Sequence, residues 1–552
     1  MPSAATSATL VARAITKSFG PRLVLDQVSL TVAPGARIGV VAPNGTGKST
    51  LLRVLAGLDR PDHGTVERQP RRATVGLLAQ EPERRLGETL RTFLARRTGV
   101  RGAEVELDLA SVALADAELG SEDRYADALD AYLSLGGPDL DARIGEVLAD
   151  VGLDARLVDV SMAALSGGQA ARAALGALLL SRFDVFLLDE PTNDLDFAGI
   201  ERLERFVADI GAGCVIVSHD RAFLDRVVDR VLEIDDHQHT ASLYSGGWSA
   251  YLEERGIARR HAEERYAEYV TRRDELRARS QRESEWAHKG VRKMKRSGET
   301  DKYIREFKRA SSERLAATAK RTERAIDRLD VVAKPWEGWE LQLAFREAPR
   351  GGAVVAAFDD AVVRRGDFTL GPISLDIRHG ERVALVGANG SGKSTLLAAL
   401  LGDLPLDEGS CRRGPGVVIG TLDQRRTTFG GVATLVDAFV GVTGLTTGEA
   451  RTLLAKFGLG AEHVGRSVAT LSSGERTRAE LARFVAGGVN CLVLDEPTNH
   501  LDLPAIEQLE SALATFAGTL ILVSHDRALL DALTLTRRVV LAGGRIVADE
   551  PV

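Results

Sequence analysis

Two stretches of the chain read APNGTGKST (42–50) and GANGSGKST (387–395). Glycines at this spacing let backbone N–H groups close on an anion. The lysine and the hydroxyl beside it suit terminal phosphates and a hard cation. Asn44, Gly45, Thr46, Gly47, Lys48, Ser49 and Thr50 make the first such loop, and Asn389, Gly390, Ser391, Gly392, Lys393, Ser394 and Thr395 the second. Lys48 and Lys393 are expected on β- and γ-phosphates, Ser49 and Ser394 on Mg2+. Two apolar runs, DVFLLDE (184–190) and NCLVLDE (490–496), end in adjacent carboxylates. Asp189 and Asp495 would hold Mg2+ through water, while Glu190 and Glu496 would orient and deprotonate an attacking water. Gln80 and Gln424 lie 32 and 31 residues after their lysines, where an amide can sense Mg2+ and water. His219 and His525 each follow their glutamate by 29 residues, and the matched spacing predicts a contact with the terminal phosphate. Together these groups imply hydrolysis of a Mg2+-bound nucleoside triphosphate.

Such groups need elements that hold them. In each copy an apolar strand, RIGVVA (37–42) or RVALVG (382–387), runs into the glycine loop and then into a helix opening STLL. The helix N-terminus adds a favourable dipole for phosphate. The rest repeats in order: LSGGQ (165–169) with LSSGE (471–475), LLDEPTNDLD (187–196) with LVLDEPTNHLD (492–502), and VSHDRAFLD (217–225) with VSHDRALLD (523–531). An internal repeat of this kind predicts two α/β domains in tandem. The copies are offset by 345 residues at the lysines but by 306 at the glutamates. The first copy therefore carries about 39 extra residues within roughly 90–155, where helical spacing and acidic composition predict a surface insertion.

Between the copies, no proline occurs from Thr192 to Lys334, and residues 250–330 are dense in Arg, Glu and Ala. That composition favours long helices. Gly290 and Gly298 interrupt the pattern within WAHKGVRKMKRSGETDK (286–302), which predicts two antiparallel helices joined by a basic tip. Residues 251–330 hold 23 basic and 16 acidic side chains, an excess that leaves about -14 for the rest of a chain whose net charge is -7. A basic hairpin tip on an acidic protein points to contact with a phosphate backbone. The expected domains are 1–245, a linker over 246–340, and 341–552.

The overall charge argues against a uniformly basic nucleic-acid binder. No apolar run of about 18 residues predicts a membrane helix. The N-terminus lacks the basic and apolar regions of a signal peptide. Cys214, Cys411 and Cys491 have no metal-ligand spacing, so a reducing, cytoplasmic location is expected.

These motifs resemble the ABC ATPase superfamily, in which LSGGQ, DEPTN and SHD occur together. In that family two domains face head to tail, and each ATP lies between one domain's loop and the other's LSGGQ segment. The resemblance pairs Lys48 and Glu190 with Ser472, Ser473, Gly474 and Glu475, and Lys393 and Glu496 with Ser166, Gly167, Gly168 and Gln169. Pairing would then be intramolecular, in a monomer. The finer resemblance is to the ABC-F subfamily, which lacks a membrane domain and acts on ribosomes. It rests on two nucleotide domains in one chain, EPTNHLD, VSHDR and the helical linker. It implies contacts of the linker tip with rRNA and P-site tRNA through Trp286, Lys289, Arg292, Lys293, Lys295 and Arg296. His288 and Met294 would lie in the same tip. It further implies either ribosome protection with antibiotic resistance, the expected role, or a housekeeping role in translation. An energy subunit for an exporter and a DNA-remodelling ATPase are the remaining alternatives.

The sequence departs from the family pattern at a few positions. Ala42 stands for the first loop glycine, tolerable if its φ is negative, and Ser473 for the second glycine of LSGGQ. Both fall in one composite site, which is expected to turn over more slowly. Phe19 is placed to stack on the first adenine. The second copy offers only Arg364 or Arg365 in VRRGDF (363–368) for that stacking.

Overall fold

A computed structural model describes residues 8–78, 85, 87–235, 239–296, 321, 352–366, 368–422, 429, 433–499 and 501–552. The chain divides into two compact units, residues 1–249 with 340–552, and residues 250–339.

The larger unit contains both repeats. In the first, β1 (Thr9–Phe19), β2 (Arg22–Val32) and β4 (His63–Gln69) form an antiparallel sheet of order β2-β1-β4. β3 (Arg37–Val41), β5 (Val75–Leu78), β6 (Val185–Asp189), β7 (Gly213–Val217), β8 (Arg230–Ile234) and β9 (Ala241–Ser245) form a second sheet of order β5-β6-β7-β3-β8-β9, parallel except for β9. Every residue of β6 and β7 is buried, as expected of unbroken apolar runs covered on both faces. β1 and β2 instead alternate buried and exposed positions. The core under the first loop joins both sheets through Leu25, Leu51, Leu187 and Val217.

The helices of this half are α1 (Lys48–Ala56), α2 (Leu90–Arg97), α3 (Val100–Ala115), α4 (Ser121–Ser134), α5 (Leu140–Asp150), α6 (Gly167–Leu180), α7 (Phe197–Asp209) and α8 (Arg221–Val227). The long helix α9 (Gly247–Arg296) follows.

The second repeat has the same topology. β10 (Val354–Arg365), β11 (Phe368–Arg378) and β13 (Glu408–Arg413) are ordered β11-β10-β13. β12 (Arg382–Val386), β14 (Ile419–Leu422), β15 (Cys491–Asp495), β16 (Thr519–Val523), β17 (Arg537–Ala542) and β18 (Arg545–Pro551) are ordered β14-β15-β16-β12-β17-β18. Its helices are α10 (Lys393–Leu401), α11 (Leu435–Thr443), α12 (Thr447–Lys456), α13 (Ala461–Val464), α14 (Ser473–Ala486), α15 (Leu503–Thr515) and α16 (Arg527–Ala532).

The extra residues of the first repeat can be located. Thr89 bridges Ser161, and Thr434 bridges Ser467. The first members of these pairs differ by the larger offset and the second by the smaller. α2 thus corresponds to α11, and α5 to α12. The insertion is the paired helices α3 and α4, narrower than the span suggested by composition.

In the smaller unit, α9 runs unbroken through Gly290 to Arg296. The 50 residues of the helix extend about 75 Å at 1.5 Å per residue. The expected break at Gly290 is absent. One helical glycine costs only about 1 kcal/mol relative to alanine, and the flanking Arg, Lys, Glu and Ala are strong helix formers. Trp286, Lys289, Arg292, Lys293, Lys295 and Arg296 therefore lie on helix rather than in a turn. The expected turn at Gly298 and the second helix fall outside the described residues, apart from Arg321, which is helical. Among the described residues no helix is long and apolar enough to cross a membrane.

Candidate functional site

Each glycine loop ends in a residue that only glycine occupies without strain. Gly47 has φ 106° and Gly392 φ 105°, both in the left-handed region. A Cβ on Gly47 would approach Val24 Cγ1 to 2.4 Å. Gly45 and Gly390 share φ 84°. Ala42 takes no positive φ, whereas its counterpart Gly387 lies at φ 154°. The alanine is therefore tolerated for a conformational reason peculiar to the first loop.

Lys48 and Lys393 are buried at the start of α1 and α10. The Lys48 ammonium donates to the carbonyls of Ala42 (2.8 Å) and Pro43 (3.3 Å) and to Asn44 Oδ1 (3.3 Å). Lys393 donates likewise to Gly387 O (2.7 Å) and Ala388 O (3.1 Å). Burial lowers both lysine pKa values, opposed chiefly by Glu190 and by Glu496. Thr46 is buried and donates to Pro43 O (2.8 Å), while Ser391 is buried at the same place in the second loop. Ser49 and Ser394 are exposed; Thr50 and Thr395 are half-buried.

Strand ends bring the acids to these loops. Ser49 hydrogen-bonds Asp189 at the end of β6, and Ser394 hydrogen-bonds Asp495 at the end of β15. Burial raises both aspartate pKa values. Among the described residues, no three His, Cys, Asp or Glu side chains converge on a metal position. One hydroxyl with one carboxylate suits Mg2+, which draws its other ligands from phosphates and water.

Glu190 and Glu496 follow with φ 49° and 46°, a left-handed conformation for residues that carry a Cβ. Such backbone costs about 1–3 kcal/mol and is concentrated at functional sites. Glu190 Oε2 accepts the His219 amide and Glu496 Oε2 the His525 amide, both at 3.3 Å. The imidazole Nε2 of His219 lies 3.3 Å from Glu190 Oε1, and that of His525 3.5 Å from Glu496 Oε1. These are not ion pairs. Burial pushes Glu190 up to about 7, reinforced by Asp189 and opposed by Lys48. It pushes Glu496 up to about 8 and lowers the histidines to about 3 and about 4. The outer carboxylate oxygens, and both ring nitrogens of each histidine, are buried without a hydrogen-bond partner among the described residues.

The two repeats meet at these loops. Asp196, the N-cap of α7, accepts the Asn389 amide at 3.0 Å, and Asp194 O accepts Asn389 Nδ2 at 2.7 Å. Reciprocally Asp502, the N-cap of α15, accepts the Asn44 amide at 3.0 Å. A Cβ on Gly168 would come within 3.2 Å of Asn389 Cβ. Ser166, Gly167 and Gly168 line a cavity of about 810 Å³ with Lys393, Asp495, Glu496 and His525, and Asp189, Glu190 and His219 open onto it too.

Gln169 and Glu475 are engaged elsewhere. Each closes a capping box with its serine: Ser166 N–H donates to Gln169 Oε1 (2.9 Å) and Ser472 N–H to Glu475 Oε2 (2.7 Å). They thereby order the first turns of α6 and α14, which begin at Gly167 and at Ser473, with Gly474 next. Arg364 pairs with Glu408. Arg365 lines the cavity together with Phe368, an aromatic that sequence reading passed over. Phe19 is exposed at the end of β1, with Lys17 Nζ 5.7 Å from its ring centre. Gln80 and Gln424 lie outside the described residues.

The sequence profile of the family described as ABC transporter matches residues 25–193 and 370–499. The chain is 35% identical over 540 residues to the tylosin resistance ATP-binding protein TlrC of Streptomyces fradiae, covering 94% of this chain and 95% of that protein. It is 33% identical over 537 residues to the energy-dependent translational throttle protein EttA of Mycobacterium tuberculosis, covering 94% of this chain and 88% of that one. Among solved structures, the archaeal ribosome recycling factor aABCE1, in its complex with the stalk protein aP1, aligns with a TM-score of 0.58 at 18% identity, over 98% of this chain and 90% of that one. That last likeness establishes the fold. With the paired loops, strand-end acids and matching family profile in both halves, the chain belongs to the ABC family, in its ABC-F branch, and is an ATP hydrolase with two ATP-binding domains.

Proposed function

We propose that this ATPase binds ribosomes, that ATP closes its two halves, and that the closed state sets its residence time and protects the ribosome against an antibiotic. The observation that carries the reading is the nearly end-to-end similarity to a resistance protein, linker included. The reciprocal Asp196–Asn389 and Asp502–Asn44 contacts support closure, since each loop is held by the opposite half.

In this reading Lys48 and Lys393 exchange their loop carbonyls for β- and γ-phosphate oxygens. Mg2+, bound by Ser49 with Asp189 or by Ser394 with Asp495, would neutralise charge on the phosphates. Gln80 and Gln424 are the proposed sensors of Mg2+ and water, on their spacing of 32 and 31 residues from the lysines. Glu190 and Glu496 take a proton from water, and the neutral imidazoles of His219 and His525 offer an N–H to the γ-phosphate. The orphaned buried atoms fit this occupant, because unsatisfied polar groups are costly unless a ligand completes them. Ser166, Gly167 and Gly168 serve the Lys393 loop, and Ser472, Ser473 and Gly474 the Lys48 loop, with Gln169 and Glu475 capping from behind. Phe19 and Arg365 are the proposed adenine contacts. Basic residues from Lys289 to Arg296 meet rRNA or P-site tRNA phosphates, and Trp286 stacks on a base.

The test is co-sedimentation of a Glu190→Gln/Glu496→Gln variant with 70S ribosomes, with and without ATP. Pelleting only with ATP is expected; no pelleting under either condition defeats the reading. The EttA similarity favours a second role, control of elongation. Expression in a tylosin-sensitive host separates the two: protection raises the inhibitory concentration, whereas regulation leaves it unchanged.

A further inference from the structure

We propose that Arg221 and Arg527 are positioning residues, which tie each ATP site to the opposite half of the molecule through ion pairs with Glu510 and with Glu204 and Glu201. Arg221 lies two residues after His219 and opens α8. Its guanidinium pairs with Glu510 on α15 of the other half. The N-cap of α15 is Asp502, whose carboxylate holds the Asn44 amide of the first glycine loop. A ring of contacts therefore closes around the first site. It runs from the loop to Asp502, along α15 to Glu510, across to Arg221, and back through His219 to Glu190.

The second site has the same ring. Arg527 Nη1 lies 2.9 Å from Glu204 Oε1 and its Nη2 3.2 Å from Glu201 Oε1, both on α7. α7 is capped by Asp196, which holds Asn389. The 306-residue offset of the repeat carries Arg221 onto Arg527 and Glu204 onto Glu510. Duplication by that offset shows that the pair belongs to the repeat and is not a chance surface contact.

These pairs are also shielded. The Arg221 and Arg527 side chains are each 18% exposed, Glu510 13% and Glu204 14%. Such pairs are screened less than surface ones, and removing one partner leaves a poorly solvated charge. Helices α8 and α16, which carry the arginines, pack against each other. Each arginine thus makes the histidine segment of its own half move with the aspartate cap of the other. The second ring is the more heavily built. Phe197 presents its edge to His525, with centroids 5.1 Å apart, and lies 5.7 Å from the Arg527 guanidinium, while Leu503 holds the matching place in the first ring.

The inference rests on ATP hydrolysis alone and not on the ribosomal reading, so it is tested without ribosomes. ATP turnover of the full chain is compared for the parent, Arg221→Glu, and Arg221→Glu with Glu510→Arg. Binding of a fluorescent ATP analogue without Mg2+, at each loop alone, is measured alongside. Arg221→Glu is expected to lower kcat at least about tenfold while that binding stays within about twofold. The charge-swapped variant should recover to within about threefold of the parent. Parental kcat in Arg221→Glu, or no recovery by the swap at parental thermal stability, overturns the proposal. Should the Arg221 variants fail to reach parental stability, Arg527→Lys and Arg527→Ala decide. The lysine is expected to retain turnover and the alanine to lose it; equal behaviour overturns the proposal.

Discussion

At the scale of single residues, two features govern the site: raised carboxylates and left-handed backbone. Glu190 and Glu496 take up a proton well above the usual range for glutamate because burial disfavours their charge. A general base must be ionised, so in the proposed role of Glu190 and Glu496 the kcat/KM of the parent for ATP should fall as pH drops below about 8 and further below about 7. A flat pH–rate profile down to acid would remove Glu190 and Glu496 from that role. Their replacement by Gln together should lower turnover by at least about 100-fold. The glycines give a second, graded expectation. A Cβ at Gly47 would meet Val24 Cγ1 at 2.4 Å, and one at Gly392 the Leu370 methyl at 2.8 Å. At nearly equal φ, Gly47→Ala should destabilise more than Gly392→Ala, each by about 1–3 kcal/mol. Urea unfolding of the two variants checks both the order and the size. The glycines, lysines and acid pairs were legible in the sequence because their chemistry fixes residue type. The positive φ of Glu190 and Glu496 was not, since nothing in a glutamate announces left-handed backbone.

At the scale of elements, the repeat was legible because a changed offset counts residues directly. Its location was not, because α5 shares the Ala, Leu, Asp and Glu of the inserted α3 and α4, and no motif marks where α2 ends and the insertion begins. Only the Thr89–Ser161 and Thr434–Ser467 bridges separate them. The ion pairs of Arg221 and Arg527 were hidden for another reason. They join residues 289 to 326 positions apart, and no local pattern marks such partners. The linker reverses the lesson. Gly290 reads as a break, yet α9 continues past it because helix formers on both sides outweigh one glycine. Gly290→Ala should therefore stabilise α9 locally by about 1 kcal/mol, whereas Gly290→Pro should cost about 3 kcal/mol. Amide exchange over 280–296 in the full chain reports both. Faster exchange in Gly290→Ala would mean that the glycine is required for a conformation other than helix.

At the scale of the whole molecule, charge is divided unevenly. Residues 251–330 carry an excess of positive charge while the remainder is acidic. On balance an acidic body repels a polyanion, so the proposed attraction to rRNA or tRNA would come from the basic segment, with a strength that depends on salt. Each phosphate contact that releases a counterion adds about 0.7 to 0.9 to the slope of log affinity against log salt. Lys289, Arg292, Lys293, Lys295 and Arg296 lie within eight consecutive positions, about two turns of α9. Replacing all five with Gln should flatten the slope by about one for each phosphate that is no longer neutralised. It should also leave ribosome-free ATP turnover unchanged, because none of the five belongs to an ATP site. The measurement is pelleting of the ATP-trapped Glu190→Gln/Glu496→Gln chain with 70S ribosomes across a salt series, with and without the five substitutions. A parallel but weaker line would place the phosphate contacts elsewhere on the chain. A flatter line would assign them to the end of α9, and closure at the ATP sites would then control how long a basic helix stays against RNA.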